Sequence, residues 1–196
     1  MTTKDKLSVT TRELTAKDWP IVEKLFGGNG ACGGCWCQSW RIAKGEKWET
    51  VKGEEAKGRL KREIEEGQAS GVLAFSGDVP IGWCSFGPRP DYAKLDRSPS
   101  LACDDADEVW SVPCFFVVRG YRGQGVSRAM LQTALQAMTK RGVCIAESYP
   151  AKPPKDGKPL PAAFAWTGPR ALFDGAGFGV AGNESGGKQR MRKSLS

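Results

Sequence analysis

The chain has 196 residues, of which 40% are hydrophobic and 26% are charged, a composition typical of a globular protein that buries a core. No interior linker divides it, so we expect a single domain over residues 1–196. No apolar run approaches the roughly 18 residues that a membrane span requires, and no apolar signal segment follows Met1. The sequence therefore predicts a cytoplasmic protein without a membrane partner.

Charged and reactive side chains narrow the possible functions. The net charge of +7 suits a nucleic acid or a small anionic ligand, but the lysines and arginines form no long basic run, which argues against nucleic acid. Histidine is absent, so acid-base chemistry near neutral pH falls to carboxylates, Tyr, Cys, Lys or water. The seven cysteines, an odd number, indicate reduced thiols rather than a disulfide framework.

The first half of the chain predicts a strand, two helices and a hairpin. Alternation over 7–14 indicates the strand, and a capping box at Thr15–Asp18 begins a short helix. A highly charged helix is expected over Trp48–Glu66. Two apolar runs, 71–75 and 81–86, flank a turn that contains Gly and Pro, and they predict the hairpin.

The second half predicts the rest of a sheet and two more helices. The run 109–118 is almost wholly apolar, as in a strand buried on both faces, and apolar residues then recur at helical spacing from Val126 to Met138. The remaining elements are a strand at 143–149, a proline-rich loop at 150–161, a helix at 166–176, and strands at 177–180 and 189–192. This order predicts an α/β (α+β) fold.

A glycine-rich turn joins the apolar strand to the helix that follows it. Gly123 and Gly125 allow the backbone to turn tightly and allow a ligand to approach its amides. These amides are unpaired donors at a helix start, where the helix dipole also favours an anion. The turn predicts a phosphate-binding cradle, the alternative being an ordinary strand-to-helix loop.

The run Arg122–Ser127 resembles the Arg/Gln-x-x-Gly-x-Gly/Ala signature of the GNAT superfamily of N-acetyltransferases, although Ser127 replaces the usual Gly or Ala. A second run, Leu172–Phe178, resembles the late helix of that family, which ends in Gly-Phe. The resemblance covers nearly the whole chain. It implies a single-domain GNAT-like fold, with a central mixed, mostly antiparallel sheet of about seven strands flanked by about four helices.

The resemblance also implies acetyl-CoA (coenzyme A) as the cosubstrate, with no metal required. The backbone of Phe116, Val117 and Val118 would pair with the pantetheine arm, and an amide near Val118 would polarise the thioester carbonyl. Arg122 would approach the pyrophosphate. The amides that would hold the pyrophosphate belong to Gly123, Gln124, Gly125, Val126 and Ser127.

Acyl transfer to an amine requires a deprotonated amine and a proton for the leaving thiolate. The family's usual acid, a Tyr on the late helix, is replaced here by Phe173. Glu147 and Tyr149 are the candidate catalytic residues, because they alternate to one face of a strand and Glu147 interrupts an apolar run. The alternatives are a salt bridge to an arginine for Glu147 and local packing for Tyr149. Glu108 and Ser111, near the start of another strand, are further candidates.

Three cysteines occur close together as Cys32-x-x-Cys35-x-Cys37. A zinc site would need a fourth ligand from elsewhere, and a redox pair would be expected after a strand and at a helix start. The favoured interpretation is a folded segment that forms part of the acceptor site, with the cysteines as small packing residues. On this interpretation the pocket is lined by Trp36, Gln38, Trp40 and Arg41.

These observations predict an acetyl-CoA-dependent N-acetyltransferase that acts on a primary amine of a small molecule or peptide. One alternative is a catalytically inactive acyl-CoA-binding sensor or protein-interaction module with the same fold, with or without a Cys-rich metal site. Zinc-dependent nucleic-acid binding is a third possibility. The sequence leaves open whether the protein is a monomer or a homodimer.

Overall fold

The computed structural model describes residues 7–152, 162–183 and 187–196, so most of the predicted loop at 150–161 lies outside the described residues. The described chain forms one sheet of seven strands in the order β1-β2-β3-β4-β5-β7-β6. Neighbouring strands are antiparallel except β4 and β5, which are parallel, and the expected mixed sheet is therefore confirmed. The strands are β1 (Thr10–Glu13), β2 (Ser70–Ser76), β3 (Val79–Pro88), β4 (Val109–Val117), β5 (Ile145–Ser148), β6 (Gly179–Val180) and β7 (Met191–Ser194).

The described residues contain five α-helices, one more than expected. The helix predicted over Trp48–Glu66 is divided in two, because Gly53 has a φ of +86°, a left-handed conformation that interrupts a helix. The helix predicted at 166–176 is shorter than expected and begins after a 3₁₀ turn. The α-helices are α1 (Trp19–Phe26), α2 (Trp48–Val51), α3 (Glu54–Glu65), α4 (Val126–Lys140) and α5 (Arg170–Asp174).

Helices cover both faces of the sheet, and strand alternation decides which residues meet which helix. On β2, Val72 packs in a cluster with α4, whereas the next residue, Leu73, packs with α1 and α3. Gly82 on β3 lets α4 approach closely, since a Cβ at this position would lie 3.1 Å from Met130 and Val126. The start of α4 is thereby held against the sheet.

Strand β4 has two neighbours over its first half and one over its second. Val109–Val112 pair with Ile145–Ser148 of β5 in parallel register. From Pro113, which has no backbone N–H, the ladder with β5 ends within the described residues, while the ladder with β3 continues to Val117. We call Val109–Val112 the paired half of β4 and Pro113–Val117 the open half. Among the described residues, no strand pairs with one edge of the open half.

Candidate active site

A cleft of about 630 Å³ lies along the open half of β4. Its other walls come from the glycine turn, from the segment 27–47 between α1 and α2, and from residues before α5. We call it the β4 cleft. The strand and the turn contribute Cys114–Val117, Arg122, Gly123 and Ser127 to its lining.

The glycine turn fits the expected phosphate cradle. Gly123 and Gly125 have φ values of +73° and +84°, and a Cβ on either would meet no atom of the described residues within 4 Å, so these residues leave the space above the turn open. Gly125 immediately precedes the fifteen-residue helix α4, whose first amides lack intrahelical partners. The side chain of Val126 is buried and that of Gln124 donates to the Gly120 carbonyl at 2.9 Å, so these two residues offer a ligand their backbone amides.

Hydrogen bonds at the end of β4 decide which backbone groups face the cleft. The N–H of Val118 donates to the carbonyl of Ile81 on β3 at 2.9 Å. Because successive residues of a strand direct their N–H groups to opposite edges, the amides of Phe115 and Val117 point toward the cleft. The exposed Arg122 donates from Nε to the Val117 carbonyl at 2.9 Å. The amides that face the cleft are therefore those of Phe115 and Val117, whereas the Val118 amide is already bonded to β3. Phe115 was not among the residues named from the sequence.

The segment after α1 faces the cleft with alternate residues. Cys35, Cys37 and Ser39 line the cleft, whereas Trp36, Gln38 and Trp40 are buried beside it. Trp36 packs against Trp19 and Phe26, Gln38 donates to the Glu63 carboxylate at 3.1 Å, and Trp40 donates to the Pro113 carbonyl at 3.3 Å. This is the reverse of the expected arrangement, in which the larger side chains lined the pocket and the cysteines packed.

Away from β4 and the glycine turn, the cleft lining is aromatic as well as thiol-bearing. Trp48, at the start of α2, and Trp166, before α5, both line the cleft. Trp166 also packs against Trp40, with ring centroids 5.5 Å apart, and Lys188 lies over its ring at 4.7 Å. Sequence reasoning did not single out either lining tryptophan, because neither lies in a recognisable motif.

Glu147, the candidate base, lies at the centre of an ion-pair network and is fully buried. Its Oε1 accepts hydrogen bonds from Arg89 Nε at 3.1 Å and from the Tyr149 hydroxyl at 2.7 Å, and its Oε2 accepts one from Arg192 Nε at 2.6 Å. Arg192 also makes two hydrogen bonds of 2.7 Å to Asp105. Glu147 does not belong to the described lining of the β4 cleft. This is the salt-bridge arrangement that the sequence offered as its alternative role.

Tyr149, the second candidate, is also fully buried and belongs to the same network. Its hydroxyl lies 2.6 Å from Ser111 Oγ, and burial, together with the neighbouring charge of Glu147, holds its pKa well above the usual value.

Glu108 is exposed at the start of β4. Phe173, at the position of the family's usual acid, is buried against Phe115 and Phe178.

Cysteines of the cleft form a thiol contact rather than a metal site. The Cys37 Sγ lies 3.3 Å from the Cys114 Sγ and accepts a hydrogen bond from the Trp83 indole N–H at 3.0 Å. Burial raises the pKa of Cys35 to about 11.

Across the described residues, no group of three or more His, Cys, Asp or Glu side chains is placed to hold a metal ion. None of the described helices is both long enough and apolar enough to cross a membrane.

Acetyltransferases of known structure share this fold. The N-acetyltransferase PaiA from Thermoplasma acidophilum, solved with coenzyme A, has a TM-score of 0.56 at 16% identity, and the match covers 95% of this chain and 99% of that one. YncA, a putative acetyltransferase from Salmonella typhimurium solved with acetyl-CoA, has a TM-score of 0.56 at 14% identity, with 96% and 94% covered. The ribosomal-protein-alanine N-acetyltransferase from Brucella melitensis has a TM-score of 0.56 at 15% identity, with 94% and 99% covered. At these identities the likeness establishes the fold.

The family assignment comes from a match between the sequence and a family model. The model of the Acetyltransferase (GNAT) family matches residues 36–151, which is more than half of the chain and includes β4 and the glycine turn. The chain therefore belongs to the GNAT acetyltransferase family, and the resemblance carried by Arg122–Ser127 is confirmed. A comparison with curated proteins gave no match.

Proposed function

We propose that the protein is an N-acetyltransferase that uses acetyl-CoA and acetylates a primary amine of a small molecule or a peptide. One observation carries the proposal: the open half of β4 and the glycine turn line the same cleft. A strand edge that no described strand pairs with suits an extended, amide-bearing arm, and a helix start suits a pyrophosphate. Acetyl-CoA combines the two. Membership of the GNAT family supports the assignment.

In this proposal the chain binds and orients the cosubstrate, which supplies an acetyl group activated as a thioester. The amides of Phe115 and Val117 align its arm along β4, and those of Gly123–Ser127 bind its pyrophosphate. Arg122, exposed at the mouth of the cleft, adds positive charge beside the phosphates. Val118 lies immediately after β4 and its amide is bonded to Ile81 of β3, so in this proposal that amide does not contact the arm.

The cleft lining favours an acceptor amine with an apolar or aromatic body. Trp48 and Trp166 offer faces for stacking, and the thiols of Cys35 and Cys37 extend the apolar wall. Arg122 is the only charged side chain in the described lining, and it lies on the wall assigned to the phosphates. Polycationic acceptors such as polyamines therefore fit this lining less well than a monoamine with an aromatic ring.

Glu147 and Tyr149 act in this proposal by holding the end of β5, rather than by touching the reacting atoms. Both are fully buried and bonded to each other, and neither reaches the described lining of the cleft. The carboxylate oxygens of Glu147 are already engaged by Arg89 and Arg192, inside the protein and away from the described cleft lining.

Calorimetry and thiol release test the proposal in sequence. Acetyl-CoA should bind the full chain with a dissociation constant in the low micromolar range or weaker, and absence of binding heat and of any thermal shift would overturn the cosubstrate assignment. Coenzyme A release should then be followed over a panel that contains aromatic monoamines, alkyl monoamines, polyamines and N-terminal peptides. We expect the aromatic monoamines to give the highest kcat/KM.

A second candidate function is a catalytically inactive acyl-CoA-binding module. The buried Phe173 favours it, because the hydroxyl that would protonate the leaving thiolate is absent from this position. Binding of acetyl-CoA without coenzyme A release for any amine in the panel would establish this alternative. A measurable release rate with one acceptor class, and none with the others, would eliminate it.

A further inference from the structure

Cys37 and Cys114 face each other at the floor of the β4 cleft. Cys37 comes from the segment after α1 and Cys114 from the open half of β4, 77 positions apart in the chain, yet their Sγ atoms lie 3.3 Å apart. Both residues are largely buried, at 7% and 6% exposure, and both line the cleft. A small molecule therefore reaches this pair through the cleft rather than from the outer surface.

The fold imposes the position of Cys37 at a conformational cost. Trp36 and Cys37 have φ values of +43° and +57°, a left-handed conformation that costs an L-residue about 1–2 kcal/mol. Gly30 makes the turn possible, because a Cβ there would lie 2.2 Å from the Trp36 indole nitrogen. Packing of Trp36 against Trp19 and Phe26 thus directs the next side chain, Cys37, toward β4. Consecutive non-glycine residues in this conformation concentrate at functional sites.

The two thiols are chemically unequal. The Cys37 thiol donates to the Cys114 Sγ and accepts a hydrogen bond from the Trp83 indole N–H at 3.0 Å. The hydrogen bond with Cys37, together with burial, holds the pKa of Cys114 well above the usual range. Because a raised pKa leaves less thiolate on Cys114, we assign the first attack on a disulfide to Cys37.

We propose that Cys37 and Cys114 form an oxidisable dithiol, which a low-molecular-weight disulfide entering the β4 cleft converts into an intramolecular disulfide. The Cys37 sulfur attacks one sulfur of the oxidant, whose S–S bond breaks and releases one thiol. The Cys114 sulfur then displaces the second thiol from the mixed disulfide. The protein loses two protons and two electrons, and both appear in the two released small thiols.

The Sγ atoms must approach from 3.3 Å to about 2 Å for this bond, so the disulfide draws the segment after α1 toward the open half of β4. That movement tightens the floor of the cleft. We expect acetyl-CoA binding to weaken in the oxidised protein, a consequence that rests on the proposed function, whereas the dithiol itself does not.

Peptide mapping tests the dithiol without reference to activity. The reduced full chain is treated with oxidised glutathione, the remaining thiols are alkylated, and the digest is analysed by mass spectrometry without reduction. We expect a Cys37–Cys114 cross-linked peptide, a glutathione adduct on Cys37 in Cys114→Ser, and neither product in Cys37→Ser. Cys144→Ser, which removes an exposed thiol outside the described cleft lining, should cross-link like the wild type. A cross-link between Cys32 and Cys35 instead, or Cys37 still alkylated in the wild type, would overturn the proposal.

Calorimetry with acetyl-CoA separates this proposal from the proposed function. In the wild type we expect oxidation to raise the dissociation constant at least about tenfold, with recovery after reduction. We expect the dissociation constant of Cys37→Ser, which forms neither product, to be the same before and after treatment with oxidised glutathione. If the mapped disulfide forms but binding is unchanged, the regulatory consequence is wrong and the dithiol stands. If the reduced protein does not bind acetyl-CoA, the proposed function fails while the peptide map still decides the dithiol.

Discussion

The two halves of β4 differ in what their neighbours leave available to a ligand. In the paired half, β5 brings Glu147 and Tyr149 beside Ser111, and Arg89 and Arg192 complete a network in which the groups bond one another. In the open half, backbone amides and the Cys37–Cys114 pair face a cleft of about 630 Å³.

The residue that looks chemically unusual in the sequence is not among those that a ligand can reach. A carboxylate inside an apolar strand attracts attention in a sequence, but Glu147 lies where β4 and β5 are still paired and has no exposed surface. The open half contains no ionisable side chain other than Cys114, yet it presents the groups that a ligand can reach. Accessibility here follows from where the β4–β5 ladder ends at Pro113.

The largest effect is expected from removing the Glu147 carboxylate, which β5 places beside the paired half of β4. Glu147→Gln should lower the free energy of unfolding by about 3 kcal/mol, because Arg89 and Arg192 lose their shared buried counter-charge. Chemical denaturation measures this loss.

The acetyl-CoA affinity of the same variant tests whether the Glu147 network is separate from the cleft. At a temperature where Glu147→Gln remains folded, calorimetry should give the wild-type dissociation constant, because Glu147 lies outside the described cleft lining. A stable variant whose turnover is abolished at normal affinity would instead identify Glu147 as the catalytic base.

The next effect concerns the hydroxyl group that links the network to β4. Tyr149→Phe should cost about 1–2 kcal/mol of stability, because Ser111 Oγ and Glu147 Oε1 each lose a partner in a buried site. Ser111→Ala removes one of these bonds from the other side, and a double-mutant cycle isolates the coupling of the pair. Unchanged stability accompanied by a shifted pH profile of turnover would contradict the structural role.

A smaller effect on stability, but a specific one on binding, is expected in the glycine turn. Gly123→Ala places a Cβ on a residue with φ +73° in the cleft, so the acetyl-CoA dissociation constant should rise about tenfold. Gly120→Ala is the matched control, since Gly120 has neither a left-handed φ nor a neighbour within 4 Å of the added atom. Equal affinities for the two variants in calorimetry would remove the phosphate cradle from this turn.

Sequence patterns predicted the secondary-structure elements around the site better than the side chains that line the cleft. The order of elements along the chain and the glycine turn follow from local periodicity and from glycine chemistry, which a sequence displays directly, whereas the mixed sheet was implied by the family resemblance. The lining of the segment after α1 does not, because the left-handed backbone at Trp36 and Cys37 reverses which residues face the cleft. The partners of Glu147 come from residues 89 and 192, far apart in the chain, and only the sheet brings them together.

The smallest effect is a pH dependence of stability that arises at Asp105, which Arg192 joins to the Glu147 network. The Arg192 guanidinium holds the pKa of Asp105 well below its usual range, so the unfolded chain binds a proton that the folded chain does not. The resulting stabilisation is present above about pH 4 and is lost as the pH falls further. Because Asp105 is partly exposed, Asp105→Asn should change this acid dependence by less than about 1 kcal/mol. Denaturation curves between neutral and acid pH measure it against Asp104→Asn, an exposed neighbour, and identical acid profiles for the two variants would mean that the Arg192–Asp105 pair contributes nothing to the network.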